Sequence, residues 1–113
     1  MNALDIARSG LQTNKAQLAT SAHNTANVHT DEFAKQITSQ QTRLQGGVSS
    51  NIDTVTLSTQ AKSLAQNIDG PQNNVDLTEE TVKQIQSQRN FEQNAQVVRT
   101  QDQMQKTRID IIT

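Results

Sequence analysis

The sequence contains no cysteine, no tryptophan and no tyrosine. Without thiols it offers no disulfide, no thiolate metal site and no cysteine nucleophile. Phe33 and Phe91 are its only aromatic side chains, and Pro71 is its only proline. An excess of one charge is missing too. Ten Lys and Arg face 11 Asp and Glu, a net charge of −1, which excludes the basic footprint of a nucleic-acid binder and a polybasic membrane anchor. The apolar runs are short, such as Ile111-Ile112, so insertion into a bilayer is not expected. The start of the chain has no basic stretch followed by an apolar one, so a secretory signal peptide is not expected either.

Polar uncharged residues take up the space. There are 17 Gln, 14 Thr, 10 Asn and 8 Ser, 49 of 113 residues together. The apolar fraction is 32%, against roughly 45–50% in ordinary domains. A chain of 113 residues allows one domain at most, and one this polar cannot build a large core alone. The first 28 residues carry only Met1, Leu4, Ile6, Leu11, Leu18 and Val28 as long apolar side chains, too few to offset the entropy of ordering that much backbone. Such a segment becomes ordered when another part of the chain, or another copy of it, packs along it.

Residues 3–28 read as a helix. Leu4, Leu11 and Leu18 recur at every seventh position and form one narrow apolar stripe close to a coiled-coil seam. Gly10 lies inside this helix, where it is either a weak spot costing about 1 kcal/mol relative to Ala or the site of a close contact with a neighbouring backbone; the sequence leaves both open. Asn24, Asn27, His29, Thr30 and Asp31 favour caps and turns and predict a stop near Val28. Residues 33–45 read equally as a Gln-rich helix or an extended segment. Gly46-Gly47 is a turn signal, and the β-branched alternation over 53–58 predicts a strand, with 36–44 as its nearest partner. Residues 58–74 read as a linker with a helical turn around 61–66 and Pro71 where a new element begins. Residues 77–110 predict a second, longer helix. Asp76 and Glu79 fit a capping box, and Glu80 adds to the favourable charge at the helix start. Val82, Ile85, Phe91, Ala95 and Val98 form one stripe on it, and Val97, Met104 and Ile111 a second. The expected fold is mainly α. Two long terminal helices pair as an antiparallel coiled coil, with a short β-ribbon and loop between them. This divides the chain into 1–30, 31–74 and 75–113.

Residue patterns for catalysis or cofactor binding are not found. His23 and His29 are six apart, whereas a helical zinc pair needs three or four, so two solvated histidines near a helix end are expected. Glu79-Glu80 is explained by the helix start. Gly46-Gly47 lacks the spacing of a phosphate cradle, and Ser9-Gly10 is not a nucleophile elbow. Arg89, Arg99 and Arg108 alternate with Glu92, Asp102 and Asp110 as a mixed face. The sequence therefore predicts a non-enzyme with no cofactor and no metal.

Three stretches together resemble the bacterial flagellar axial proteins that build the rod and hook. ALDIARSGL, residues 3–11, is similar to the family's N-terminal helix, with Ser9, Gly10 and Leu11 in its Ser-Gly-Leu. NTANVHTDEF, residues 24–33, is similar to its Asn-x-Ala-Asn-x-x-Thr-x-Gly-Tyr/Phe segment, with Asn24, Ala26, Asn27, Thr30 and Phe33 matching. Glu32 stands where the family prefers Gly, and because Glu tolerates positive φ poorly the turn there is in question. NVDLTEETVKQIQSQRNFEQNAQVVRTQDQM, residues 74–104, resembles the C-terminal signature. Asn74, Val75, Asp76, Leu77 and Glu80 match its opening, followed by Ile85, Gln88, Arg89, Phe91, Glu92, Asn94, Ala95 and Met104.

The resemblance implies a small rod-type subunit of the flagellar basal body. Its partners would be copies of itself and other rod and hook proteins, and its place the periplasm-spanning rod. Family members form the inner wall of a helical tube with their terminal helices. They leave the cell through the flagellar type III export apparatus without a cleaved signal. Phe33 and Ile37 fit the family's Phe-x-x-x-apolar export-gate motif, or Phe33 simply packs on the first helix. The expected subunit and helix interface comprises Leu4, Leu11, Leu18, Ile85, Phe91, Ala95, Val98, Met104 and Ile111. The rival reading is a free-standing helical-hairpin adaptor that kept the family's ends and binds a single protein partner.

Overall fold

A computed structural model describes residues 2–67 and 73–112; the new element expected at Pro71 lies outside the described residues. The chain order is α1 (Ala3–Ala26), β1 (Gln36–Thr42), β2 (Val48–Thr54), α2 (Thr59–Asn67) and α3 (Leu77–Ile112). Helix α1 starts where the Asn2 side chain accepts the Asp5 amide proton at 2.9 Å. It ends at Ala26, two residues short of the expected stop, because the Asn27 N–H turns back to the carbonyls of His23 and Asn24. Helix α3 starts at Asp76, whose Oδ1 accepts the amides of Thr78 and Glu79 at 2.9 and 3.2 Å. The Glu79 carboxylate turns instead to Lys83 and Lys35, at 2.7 and 3.2 Å. The cap is therefore an aspartate cap with an ion-pair cluster beside it.

Strand β2 begins at Val48 rather than at the expected residue 53. The turn decides this: Gly46 and Gly47 adopt φ of 94° and 84°, and the Arg43 N–H donates to the Gly47 carbonyl at 3.0 Å. Pairing therefore starts directly after the glycines, with Thr42 opposite Val48 and Gln36 opposite Thr54. Residues 55–58, the β-branched stretch that looked most strand-like, leave the ribbon. The helical turn expected at 61–66 is the longer α2, with Ser58 Oγ accepting the Ala61 amide.

Helices α1 and α3 run antiparallel, with Gly10 against Asn94 and Ser21 against Glu80. The ribbon lies along α1, its base at Asn24 and its tip near Ser9. The molecule measures 74 × 26 × 14 Å, with a radius of gyration of 19.7 Å, where a compact chain of this length has about 13 Å. Its accessible surface of 8340 Å² exceeds the roughly 6,200 Å² expected for a compact protein of this mass by about 2,000 Å².

Apolar packing does little of the work of holding this shape. Ala7 is the one fully buried apolar residue among those described. Buried with it are Ser9, Thr13, Asn14, Thr20, Ser21, Asn24, Glu80 and Ser87. A seam of small and polar side chains lets two helices approach closely, and the cost is that each buried polar group must find a partner. Ser21 Oγ donates to the Glu80 carbonyl at 2.9 Å, and Gln84 Nε2 donates to Thr25 Oγ1 at 2.9 Å.

Candidate assembly surfaces and the clasp behind them

The junction between α1, the ribbon and α3 is built from asparagine side chains. A primary amide presents one donor and one acceptor edge and can pair with a peptide group as a neighbouring strand would. Asn24, 1% exposed, does this to Gln36: its Nδ2 donates to the Gln36 carbonyl at 2.7 Å and its Oδ1 accepts the Gln36 amide at 2.8 Å. Asn74 repeats the device at the ribbon's open end, accepting from Lys35 N at 2.7 Å and donating to the Val55 carbonyl at 3.0 Å. Asn73 donates to the carbonyls of Asn27 and Thr30 at 2.7 and 2.9 Å. Thr30 Oγ1 lies 3.2 Å from Asn27 Oδ1. These bonds hold the chain through Glu32, whose φ is 59°. The turn in question at Glu32 is thus present, in a left-handed conformation that Glu adopts at a cost.

Further up the ribbon, Thr38 Oγ1 meets Thr20 Oγ1 at 3.0 Å, Gln40 donates to Gln17 at 3.2 Å, and the Val48 amide donates to Ser9 Oγ at 3.1 Å. Ser9 and Gly10 sit side by side and face different neighbours. Ser9 pins the start of β2, while a Cβ on Gly10 would lie 2.8 Å from Asn94 Nδ2 and 3.2 Å from its Cγ. Gly10 is closely approached, but by the Asn94 side-chain amide and not by the neighbouring backbone that the second of its two readings expected. At the first turn of α3, the hydrogen bonds and charges of Lys83 and Lys35 hold the Glu79 carboxyl below its ordinary range. Partial burial pulls Lys83 down, but its bond to Glu79 and the charges of Glu80 and Glu79 outweigh that and raise it.

The motif residues thus divide into two groups. Ser9, Gly10, Asn24, Asn27, Thr30, Asn74, Asp76, Glu80 and Asn94 make the internal contacts just described. Leu11 and Val75 are half-buried, and Ala26, Leu77 and Arg89 are exposed. Gln88 donates along its own helix to Glu92 at 3.3 Å. Phe33 is half-buried, its ring set edge-on to His23 with centroids 5.5 Å apart, and Ile37 is 37% exposed at the start of the ribbon. His23 and His29 belong to no metal-binding cluster among the described residues.

The apolar stripes face outward. Leu4, Leu11, Ala95 and Val98 are half-buried along the helix pair. Leu18, Ile85, Phe91, Met104 and Ile111 are 41, 49, 44, 56 and 78% exposed. Leu4 and Arg8 share a groove with Val98, Arg99 and Asp102, and α3 continues past this point to Ile112, beyond the start of α1. Among the described helices none is long and apolar enough to cross a membrane. The sequence did not single out Asn73, Lys35 or the Thr20–Thr38 pair as contacts. The Asn73-Asn74 doublet was visible, but its bonds reach residues 19 to 46 positions away.

Compared with known proteins, residues 72–111 match the family model described as the flagellar basal body rod FlgEFG protein C-terminal. No curated protein matches the chain.

Proposed function

We propose that this chain, which belongs through its C-terminal helix to the bacterial flagellar basal body rod family, polymerises through its two terminal helices into a helical tube. A structural role in the flagellar basal body follows from the family. The observation that carries the finer reading is the inverted helix pair: polar side chains between the helices, leucine, phenylalanine, methionine and isoleucine outside. Soluble monomers seldom leave large contiguous apolar surface in water. The surplus of about 2,000 Å² over a compact protein accommodates two neighbours at roughly 800 Å² each. Docking of copies would cover Leu18, Phe91, Met104 and Ile111, and other rod and hook proteins would take the ends of the stack in the periplasm-spanning rod. The coupling of ordering to docking keeps monomers soluble until they reach a growing end. Delivery through the flagellar type III export apparatus, with Phe33 and Ile37 as the recognised pair, belongs to the same reading.

Leu18→Asp and Phe91→Asp test it cleanly because both side chains are already exposed in the single subunit. Each variant should keep the helical circular dichroism of the parent at low concentration and lose the rods that the parent forms at high concentration, seen by sedimentation and electron microscopy. A parent chain that stays a cooperatively melting monomer at every concentration rejects polymerisation and favours the adaptor.

A further inference from the structure

Two buried side-chain oxygens among the described residues have no hydrogen-bond partner, Glu80 Oε2 and Ser87 Oγ. Of the two, the carboxylate is by far the costlier, because it takes a charge out of water. Glu80 is fully buried, and its charged neighbour is shared: Lys83 Nζ lies 3.5 Å from Glu80 Oε1 but 2.7 Å from Glu79 Oε1. The carboxylate therefore has an acceptor oxygen to spare. Glu80 forms part of the wall of a small cavity, about 60 Å³, where α1, β1 and α3 meet. Thr20, Ser21, Asn24 and Thr38 line the same space, and most of their donors are already used. Ser21 Oγ donates to the Glu80 carbonyl, and the Asn24 amide bonds Gln36 on both edges. Thr20 and Thr38 bond each other, a pairing that uses one of their two hydroxyl protons and leaves the other.

We infer that this cavity is a binding site for internal water, with one molecule donating to Glu80 Oε2 and joined on its other side to the Thr20–Thr38 hydroxyls. Size and charge select water. Each water takes about 30 Å³ in the liquid, whereas a benzene-sized ligand needs about 150 Å³, so the space suits water and excludes organic ligands. Charge speaks against a cation. Lys35 and Lys83 already balance Glu79 and Glu80, and the first turn of α3 adds the positive end of the helix dipole. Among the described residues no three acidic or histidine side chains come together to hold a metal ion. Water supplies the missing donor without adding charge, and a cavity with several polar walls is what an internal water requires. The site bridges all three elements. It thus joins the asparagine clasp in fixing the ribbon against the helix pair, within a single chain and independently of how copies assemble.

A crystal structure of the full chain, at a resolution that shows ordered water, tests the site. The expected result is a water within hydrogen-bond distance of Glu80 Oε2. Thr38→Val keeps the shape of the side chain and removes its hydroxyl; crystals of that variant should show the water lost or displaced, with Glu80 still buried. Glu80→Met removes the acceptor and should empty the site as well. If the Glu80→Met chain fails to fold, Thr38→Val carries the comparison alone. Parent crystals soaked in rubidium chloride should give no anomalous peak in the cavity. An empty cavity in the parent, a protein donor bonded directly to Glu80 Oε2, an unmoved water in Thr38→Val, or a rubidium peak would each overturn the inference.

Discussion

Glu32 occupies the position where backbone strain is most plainly visible. Its φ of 59° is one that a glycine adopts freely and a side chain with a Cβ does not. The strain is held by the bonds around it, chiefly Asn73 to the Asn27 and Thr30 carbonyls. Glu32→Gly should therefore stabilise the subunit, by about 1 kcal/mol after the added flexibility of the unfolded chain is offset against the relieved strain; a urea denaturation midpoint that rises checks this. Gly10 makes the opposite case. In an ordinary helix Gly→Ala gains about 1 kcal/mol, but here the new methyl would stand 2.8 Å from the Asn94 amide. Because the Asn94 side chain must move aside, Gly10→Ala should gain less in the parent than in an Asn94→Ala background. Additive effects in that double-mutant cycle would contradict the close contact.

Among the elements, the ribbon depends most on others. A two-stranded ribbon is marginal in water, and this one has no apolar sheet to pack on; it is tied to α1 by the hydrogen bonds of Asn24, Thr20, Gln17 and Ser9. Asn24→Ala leaves both the amide and the carbonyl of Gln36 without partners in a partly buried place. The loss should be about 2 kcal/mol, within the usual penalty for such groups. The Gln36 amide should then exchange its hydrogen much faster while the α3 amides keep theirs. The start of α3 gives the element its pH dependence. Because Lys83 and Lys35 hold the folded-state pKa of Glu79 below the ordinary 4.5, their contribution to stability is present above that value. It is lost as pH falls through the lower folded value. The group is largely exposed, so the effect is small and should fade in high salt. A Lys83→Met chain should show a flatter stability profile below pH 4.5 than the parent.

On the scale of the whole molecule, the arrangement is a thin rod with its polar side chains inside and many of its apolar ones outside, and this inversion links the fold to assembly. A helix pair closed by Ser, Thr, Asn and Gly is only as stable as its hydrogen bonds, each worth about 1 kcal/mol net. The larger hydrophobic gain is left for contact with neighbours. Adding purified subunits to preformed rods should accordingly raise helical content and amide protection together, whereas Leu18→Asp subunits should show neither change.

Periodicity and turn chemistry, which are local, were legible from the residues alone: two long terminal helices, the Gly46-Gly47 turn, the Asp76 start and the antiparallel order all follow from them. The same local reading misplaced β2, because a hairpin takes its register from the turn that closes it and not from the most β-branched stretch. Which face of each helix turns inward was not legible at all. A seven-residue leucine stripe looks the same whether it meets its own partner helix or a neighbouring copy. That choice belongs to the tertiary structure, where Gly10 makes room for the Asn94 side chain, Ser21 bonds to the Glu80 carbonyl and asparagine amides stand in for strands, contacts that depend on residues tens of positions apart.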